Sequence, residues 1–157
     1  MGFPKQYFDT CADDPQSLCA ETNSRVRFEE VDSIGMVWHG RYTSYFEDGR
    51  ISFGDKYGLN YQSFIQHRTM APIVQMHFDF KFPLRFDETI RILTCLHWNE
   101  AMRLDFSYRI FNHEDKLSAS GYTVQVLTEP DGTVLFVPPE WIIEFRKKWQ
   151  NDFWSGQ

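Results

Sequence analysis

The stretch RFEEVDSIGMVWHGRYTSYFEDGR, residues 27 to 50, sets an acidic pair, an aspartate, a glycine and a histidine just ahead of a helix-like pattern. Chemistry at a carbonyl carbon needs a carboxylate that can attack or act as a base, together with donors aimed at the oxygen that becomes negative. Asp32 could supply the first. The start of the following helix, near His39, could supply the second, because the first N–H groups of a helix lack intrahelical partners and carry the positive end of its dipole. Gly35 either lets the turn bend or admits a ligand closely. The same residues also read as ordinary structure: an aspartate beside Ser33 and Gly35 makes a turn by accepting from the backbone two residues on, and His39 could merely satisfy backbone groups at the helix start. Both readings of Asp32 and of His39 stand at this point.

Elements must position these groups. Ser24 to Glu29 alternates like a strand, and Asp32 to Gly35 reads as a turn. Tyr42, Tyr45, Phe46, Gly49 and Phe53 recur at three- and four-residue steps, which predicts one buried stripe on a helix of about four turns ending near Gly58. Gly49 costs that helix about 1 kcal/mol against alanine, so it predicts close packing on a sheet. Glu47 and Arg50, three apart, predict a surface ion pair.

The remainder reads mostly as sheet. Val74, Met76, Phe78, Phe80 and Phe82 alternate with polar residues and should cover something apolar. Ile90 to Trp98 and Met102 to Ile110 predict the next two strands, with Asn99 and Glu100 in the turn between them. Ser118 to Thr128 predicts a further strand, and Thr133 to Val137 a short last strand or a strand extension. PPEWIIEFRKKWQ predicts a C-terminal helix with Trp141, Phe145 and Trp149 at four-residue steps. Short connections imply an antiparallel sheet, and the lone early helix must bury its stripe against it. The expected fold class is α+β, a sheet curled round one helix. Residues 1–23 form an expected N-terminal arm, with Phe3, Tyr7 and Phe8 as its docking side chains, and 24–150 a single domain that includes the C-terminal helix.

Composition narrows the function classes. A chain of 157 residues is the size of one domain. Its net charge of -6 and lack of a basic stripe argue against a nucleic-acid partner. Without a long apolar run or a signal-like start, no membrane association and a cytoplasmic location are expected. Cys11, Cys19 and Cys95 match no zinc or redox spacing and read as free thiols. His67, His77, His97 and His113 are scattered, so no metal is expected.

The order Phe28, Glu30, Asp32, Gly35, Val37, His39, Tyr42, Glu47, Arg50 resembles the opening signature of the hotdog-fold acyl-CoA thioesterases of the 4-hydroxybenzoyl-CoA thioesterase and YbgC type. FKFPLRFDETIRI at 80–92 and ASGYTVQVL at 119–127 fit the same pattern, and the resemblance spans roughly residues 24 to 145. It implies a hotdog fold, a curved sheet wrapped round one long helix, and hydrolysis of an acyl or aromatic thioester to free acid and thiol. Asp32 then becomes the catalytic carboxylate, as nucleophile or general base, with Gly35 and His39 in the same site. Glu47 stands in reserve, because another branch of such thioesterases uses a helix carboxylate. Val37, Trp38 and Tyr42 are the candidates for substrate contact, and Arg103 for the phosphates of coenzyme A.

Two positions depart from the pattern: Glu30 replaces a usual aspartate, and WNEAMR carries one arginine where some members have a basic cluster. The resemblance further implies a homodimer or homotetramer, and no cofactor beyond the coenzyme A of the substrate. Two alternatives accompany it. One is a non-catalytic hotdog module that binds an acyl or aromatic ligand. The other, ranked last, is a hotdog dehydratase, which wants an aspartate and a histidine at a different spacing. Pocket width would depend on which of Met36, Trp38, Tyr61, Phe64, Met70 and Met76 point inward.

Overall fold

The structure, a computed structural model, describes residues 5–156. Five strands, β1 (Leu18–Arg25), β2 (Ile73–Phe80), β3 (Thr89–His97), β4 (Arg103–Phe111) and β5 (Leu117–Val126), form one antiparallel sheet in the order β1-β3-β4-β5-β2. Helix α1 (Tyr42–Tyr57) lies against its inner face, a short α2 (Tyr61–Gln66) follows, and α3 (Glu140–Gln150) closes the chain. The expected α+β hotdog architecture is borne out.

Alternation explains the core. Ile90, Ile92, Thr94 and Leu96 of β3 and Phe106, Tyr108 and Ile110 of β4 all point inward and are buried, as a period of two demands when one face is covered. Helix α1 answers with Tyr42, Tyr45, Phe46, Gly49, Phe53 and Tyr57, all buried. It stops at Gly58, whose φ of 86° is the left-handed conformation that a side chain disfavours.

Close approach of α1 to the sheet accounts for Gly49. A Cβ there would lie 2.1 Å from Thr94 Oγ1, a hydroxyl that is itself buried without a hydrogen-bond partner. Gly49→Ala should therefore destabilise by about 1–3 kcal/mol through overpacking, although alanine favours a helix. Adding Thr94→Ala to the same chain should recover most of that loss, since it removes the colliding oxygen and leaves no paired donor behind. Urea unfolding of the two single variants and the double variant measures the coupling; strictly additive losses would refute this account of the contact.

Several expectations need correction. The first strand starts at Leu18, inside the segment read as an irregular arm, and Phe28 to Glu30 is a 3-10 turn rather than strand. Polar residues such as Glu21 and Asn23 hid β1, which is paired on one side only, at the sheet edge. The segment before it does dock through Tyr7 and Phe8, whose rings lie 5.4 Å from that of Tyr122, while Phe3 falls outside the described residues. Helix α2 was not expected; its signal was Asn60, whose side chain caps it by accepting from the Ser63 N–H. Thr133 to Val137 is no strand and makes a single bridge, Thr128 with Val134.

Cysteine pairing is a further correction. Cys19 and Cys95 are not free thiols but form a disulfide, and Cys11 alone is free and exposed. Register decides this, because β1 against β3 places the two residues directly opposite each other, with Cα atoms 4.2 Å apart. Spacing in the sequence carries no such information. Denatured protein should accordingly show one reactive thiol before reduction and three after it. Reduction of this bridge, which closes a separation of 76 residues, should lower unfolding stability by about 2–4 kcal/mol.

The apolar side of β2 is only partly covered. Phe78 packs on Phe46, and Phe80 meets the Tyr42 ring edge-on, but Val74, Met76 and Phe80 itself in β2, and Phe82 just after it, remain substantially exposed. As an edge strand, β2 extends past the surface that α1 can cover in one chain.

Candidate active site

The turn that holds Asp32 is built by backbone pairing. Asp32 N–H donates to Met36 O at 2.8 Å, and Val31 bridges Val37. Within it, Asp32 Oδ1 accepts from Ile34 N at 3.0 Å and from Met36 N at 3.2 Å. The turn reading and the functional reading thus divide the carboxylate between them: Oδ1 organises the loop, while Oδ2 accepts no hydrogen bond from the described residues. Gly35 has a φ of 78° and open space where a Cβ would stand, so bending the turn, rather than crowding, explains the glycine.

This turn is fastened to the segment after β2. Val37 N–H donates to Leu84 O at 2.8 Å, Met36 bridges Arg85, and Trp38 N–H donates to Glu30 O at 2.9 Å. The chain then enters a 3-10 turn, His39–Arg41, that leads directly into α1. No side chain caps either start. Within that turn Arg41 N–H donates to Trp38 O at 2.9 Å and Tyr42 N–H to His39 O, so the N–H groups of His39 and Gly40, just ahead of α1, are the ones without an acceptor among the described residues.

Asp32, Met36, Val37, His39 and Tyr42 line one cavity of about 330 Å³, whose opposite wall is Phe80, Lys81, Phe82 and Pro83. Val37 and Tyr42 are buried, and burial pushes the Tyr42 hydroxyl above its ordinary pKa. The phenol is accordingly a neutral hydrogen-bonding group. His39 is exposed, with its ring centroid 4.9 Å from that of Trp38. The Trp38 ring in turn lies over Gly40, where a Cβ would fall 2.2 Å from it.

Not every expected residue arrives here. Glu47 is exposed and lines a different cavity of about 480 Å³, together with Arg50, Tyr61 and Phe64. The Glu47–Arg50 ion pair does not form, because Arg50 turns inward and donates to Tyr108 Oη at 3.0 Å. That hydroxyl pairs with Thr123 Oγ1 at 2.7 Å, so the guanidinium completes a buried polar chain instead. Arg103 lies beyond the end of β3 and holds Asp105 Oδ2 through Nε and Nη2 at 3.2 and 3.0 Å. It does not line the Asp32 cavity. Glu30, the departure from the family pattern, is occupied with structure: its carboxylate accepts from Arg27 N–H at 2.7 Å and from Tyr45 Oη at 2.9 Å.

Phe80, Lys81, Phe82 and Pro83, within the 80–92 segment of the family pattern, form a site wall that the sequence does not mark as one. The nearest signal is Pro83 breaking an alternating strand just before Leu84 and Arg85, the two residues that clasp the Asp32 turn.

A family model described as the Thioesterase-like superfamily matches residues 26–145. The chain belongs to that superfamily. Among curated relatives, the acyl-CoA thioester hydrolase YbgC of Escherichia coli O6:H1 is 26% identical over 68% of this chain and 79% of its own length. Among solved structures, a DHNA-CoA thioesterase from Staphylococcus aureus superposes with a TM-score of 0.76 at 23% identity, covering 88% of this chain and 95% of that one. The hypothetical protein TT1821 from Thermus thermophilus gives 0.74 at 28% identity, covering 84% and 98%. The hotdog architecture and the thioesterase family read from the sequence are borne out together. No helix is long and apolar enough to cross a membrane among the described residues.

Proposed function

We propose that this member of the superfamily hydrolyses acyl-coenzyme A thioesters at the Asp32 cavity. One observation carries the site assignment: a carboxylate with one free oxygen and His39, whose N–H has no acceptor at the head of the 3-10 turn that leads into α1, line the same cavity. A thioester carbonyl seated there would direct its oxygen at the leading N–H groups near His39. Those donors strengthen as negative charge develops, and each is worth roughly 3 kcal/mol of barrier in comparable oxyanion sites.

Asp32 Oδ2 then acts in one of two balanced ways. As nucleophile it adds to the carbonyl carbon, the C–S bond breaks to release the thiolate, and water cleaves the resulting anhydride to give the acid and restore Asp32. As general base it takes a proton from water while the water oxygen adds, and the tetrahedral species collapses to acid and thiolate. Label in the Asp32 carboxylate after a single turnover in ¹⁸O-labelled water would establish the anhydride route, because water adding at the aspartyl carbonyl leaves it there and the general-base route never does. Val37 and Tyr42 shape the acyl side, and His39 with Trp38 borders the mouth. Glu47 stands outside this scheme, in its own cavity.

Assay of the purified chain on a panel of aliphatic and aromatic acyl-CoA substrates should show turnover of at least one class. No turnover across the panel, with ligand retained in native mass spectrometry, would favour the non-catalytic binding module instead. Acyl groups on a carrier-protein arm belong in the same panel, because the thiol end is shared.

The reading includes a homodimer or homotetramer. Its support is the edge strand β2, where Val74, Met76 and Phe80 expose apolar surface beside unpaired backbone groups, a combination that monomeric sheets avoid. Size-exclusion chromatography with light scattering should give at least twice the chain mass, and Val74→Lys should lower it. A cytoplasmic location would keep the Cys19–Cys95 pair reduced, which acid-quenched alkylation of cell extracts reads directly.

A further inference from the structure

The outer face of the sheet, away from α1, carries a second group of polar side chains that the proposed reaction does not use. The segment from Lys5 to Ser17 runs across this face. Tyr7 Oη donates to Asp79 Oδ2 at 2.7 Å and lies 2.6 Å from Ser120 Oγ, while Phe8 packs its ring 5.2 Å from that of His97. His97 is held between two hydroxyls, Ser17 Oγ at 3.1 Å from Nδ1 and Ser107 Oγ at 2.7 Å from Nε2.

Between the segment and the sheet lies a cavity of about 540 Å³, lined among others by Lys5, Thr10, Ser17, His97, Ser107 and Arg109. That volume is within the range of roughly 300–1,000 Å³ usual for small-molecule sites. Its lining is unlike the rest of this acidic chain, for it holds two permanent cations and no carboxylate. Arg109 enters no salt bridge among the described residues, in contrast to Arg25, Arg91 and Arg103. Its charge reaches both Tyr7 and His97, and burial with Arg109 beside it pushes the His97 pKa down. His97 is therefore a neutral ring fixed by its serines, and the cationic character of the cavity comes from Arg109 and Lys5. Lys5 Nζ contacts Asp79 Oδ2 at 3.1 Å, but that acid keeps Tyr7 and His77 as partners if the exposed lysine swings toward the cavity.

We propose that this cavity is an oxyanion site, taking a phosphate group on the Arg109 guanidinium, with Lys5 and the Thr10 and Ser17 hydroxyls as further donors. A planar guanidinium suits a phosphate because it offers parallel N–H donors to two oxygens. The site is separate from the Asp32 cavity, and the two share no lining residue. Its ligand is free phosphate or the phosphate monoester of a nucleotide; the chemistry is shared.

Titration calorimetry with inorganic phosphate and, separately, with adenosine 3′-phosphate tests this on the full chain. One saturable phosphate per chain is expected. Arg109→Gln should weaken it by about tenfold or more, since a charge-assisted hydrogen bond is lost. Lys5→Gln, at an exposed position that leaves folding intact, should weaken it severalfold, and Lys116→Gln, outside the cavity, should leave it unchanged. Tighter binding of the nucleotide would identify a nucleotide phosphate as the ligand, and equal binding would identify free phosphate. Absence of saturable binding, equal affinity for wild type, Arg109→Gln and Lys5→Gln, or an equal loss in Lys116→Gln would overturn the assignment. Asp32→Asn should bind phosphate as wild type does, so the outcome is read independently of thioester turnover.

Discussion

Asp32→Asn should lower kcat/KM for the best acyl-CoA substrate by about 10²–10⁴-fold while leaving the fold intact. The amide keeps an oxygen where Oδ1 accepts from Ile34 and Met36 N–H. The turn, and Gly35 within it, therefore survive the substitution. What is lost is the anionic oxygen at the second position, which is needed whether Asp32 attacks the carbonyl or deprotonates water. Thermal unfolding should show nearly the same midpoint as wild type, separating a chemical loss from a structural one. Comparable rates for both proteins would remove Asp32 from the mechanism and return it to its role in the turn. Glu47→Gln is the companion measurement. It should be nearly silent, because Glu47 faces a different cavity; a loss as large as that of Asp32→Asn would move the reacting centre along the helix.

Phe46→Ala should carry the largest stability loss, about 3–5 kcal/mol, against a typical total of about 5–15 kcal/mol for a domain. Phe46 is fully buried, with the Phe78 and Tyr108 rings stacked on it at centroid distances of 4.6 and 4.0 Å. Beneath it lies Gly121, where a Cβ would fall 2.8 Å from the Phe46 ring and 2.0 Å from His77 O. Alanine therefore leaves a void bounded by rigid rings and by backbone that cannot collapse into it, the situation in which large-to-small losses are greatest. Chemical denaturation should show the loss at an unchanged slope. Phe46→Leu, which refills part of the volume, should recover part of it. A loss below about 1 kcal/mol for Phe46→Ala, less than burial of the ring alone is worth, would refute this account of the stack.

Local pattern made much of this molecule readable in advance. Period-two alternation located β3, β4 and β5, and the stripe from Tyr42 to Phe53 located α1 with its end at Gly58, because burial on one face imposes its period on the chain. The order of Asp32, Gly35, Val37, His39 and Tyr42 was legible for the same reason: these residues lie within one connected turn and helix start, so their proximity in space follows from their proximity in sequence. Residues related only through sheet register were not legible in this way. Packing of α1 on the sheet turned Arg50 onto Tyr108 rather than Glu47, and register made Cys19 and Cys95 opposite neighbours and carried Arg103 to another cavity. It also brought Phe80 to Pro83 across from Asp32 to form the second wall of the site. Contacts between distant segments depend on how strands pair and how far a helix can cover them, and neither spacing nor composition records that; the folded sheet does.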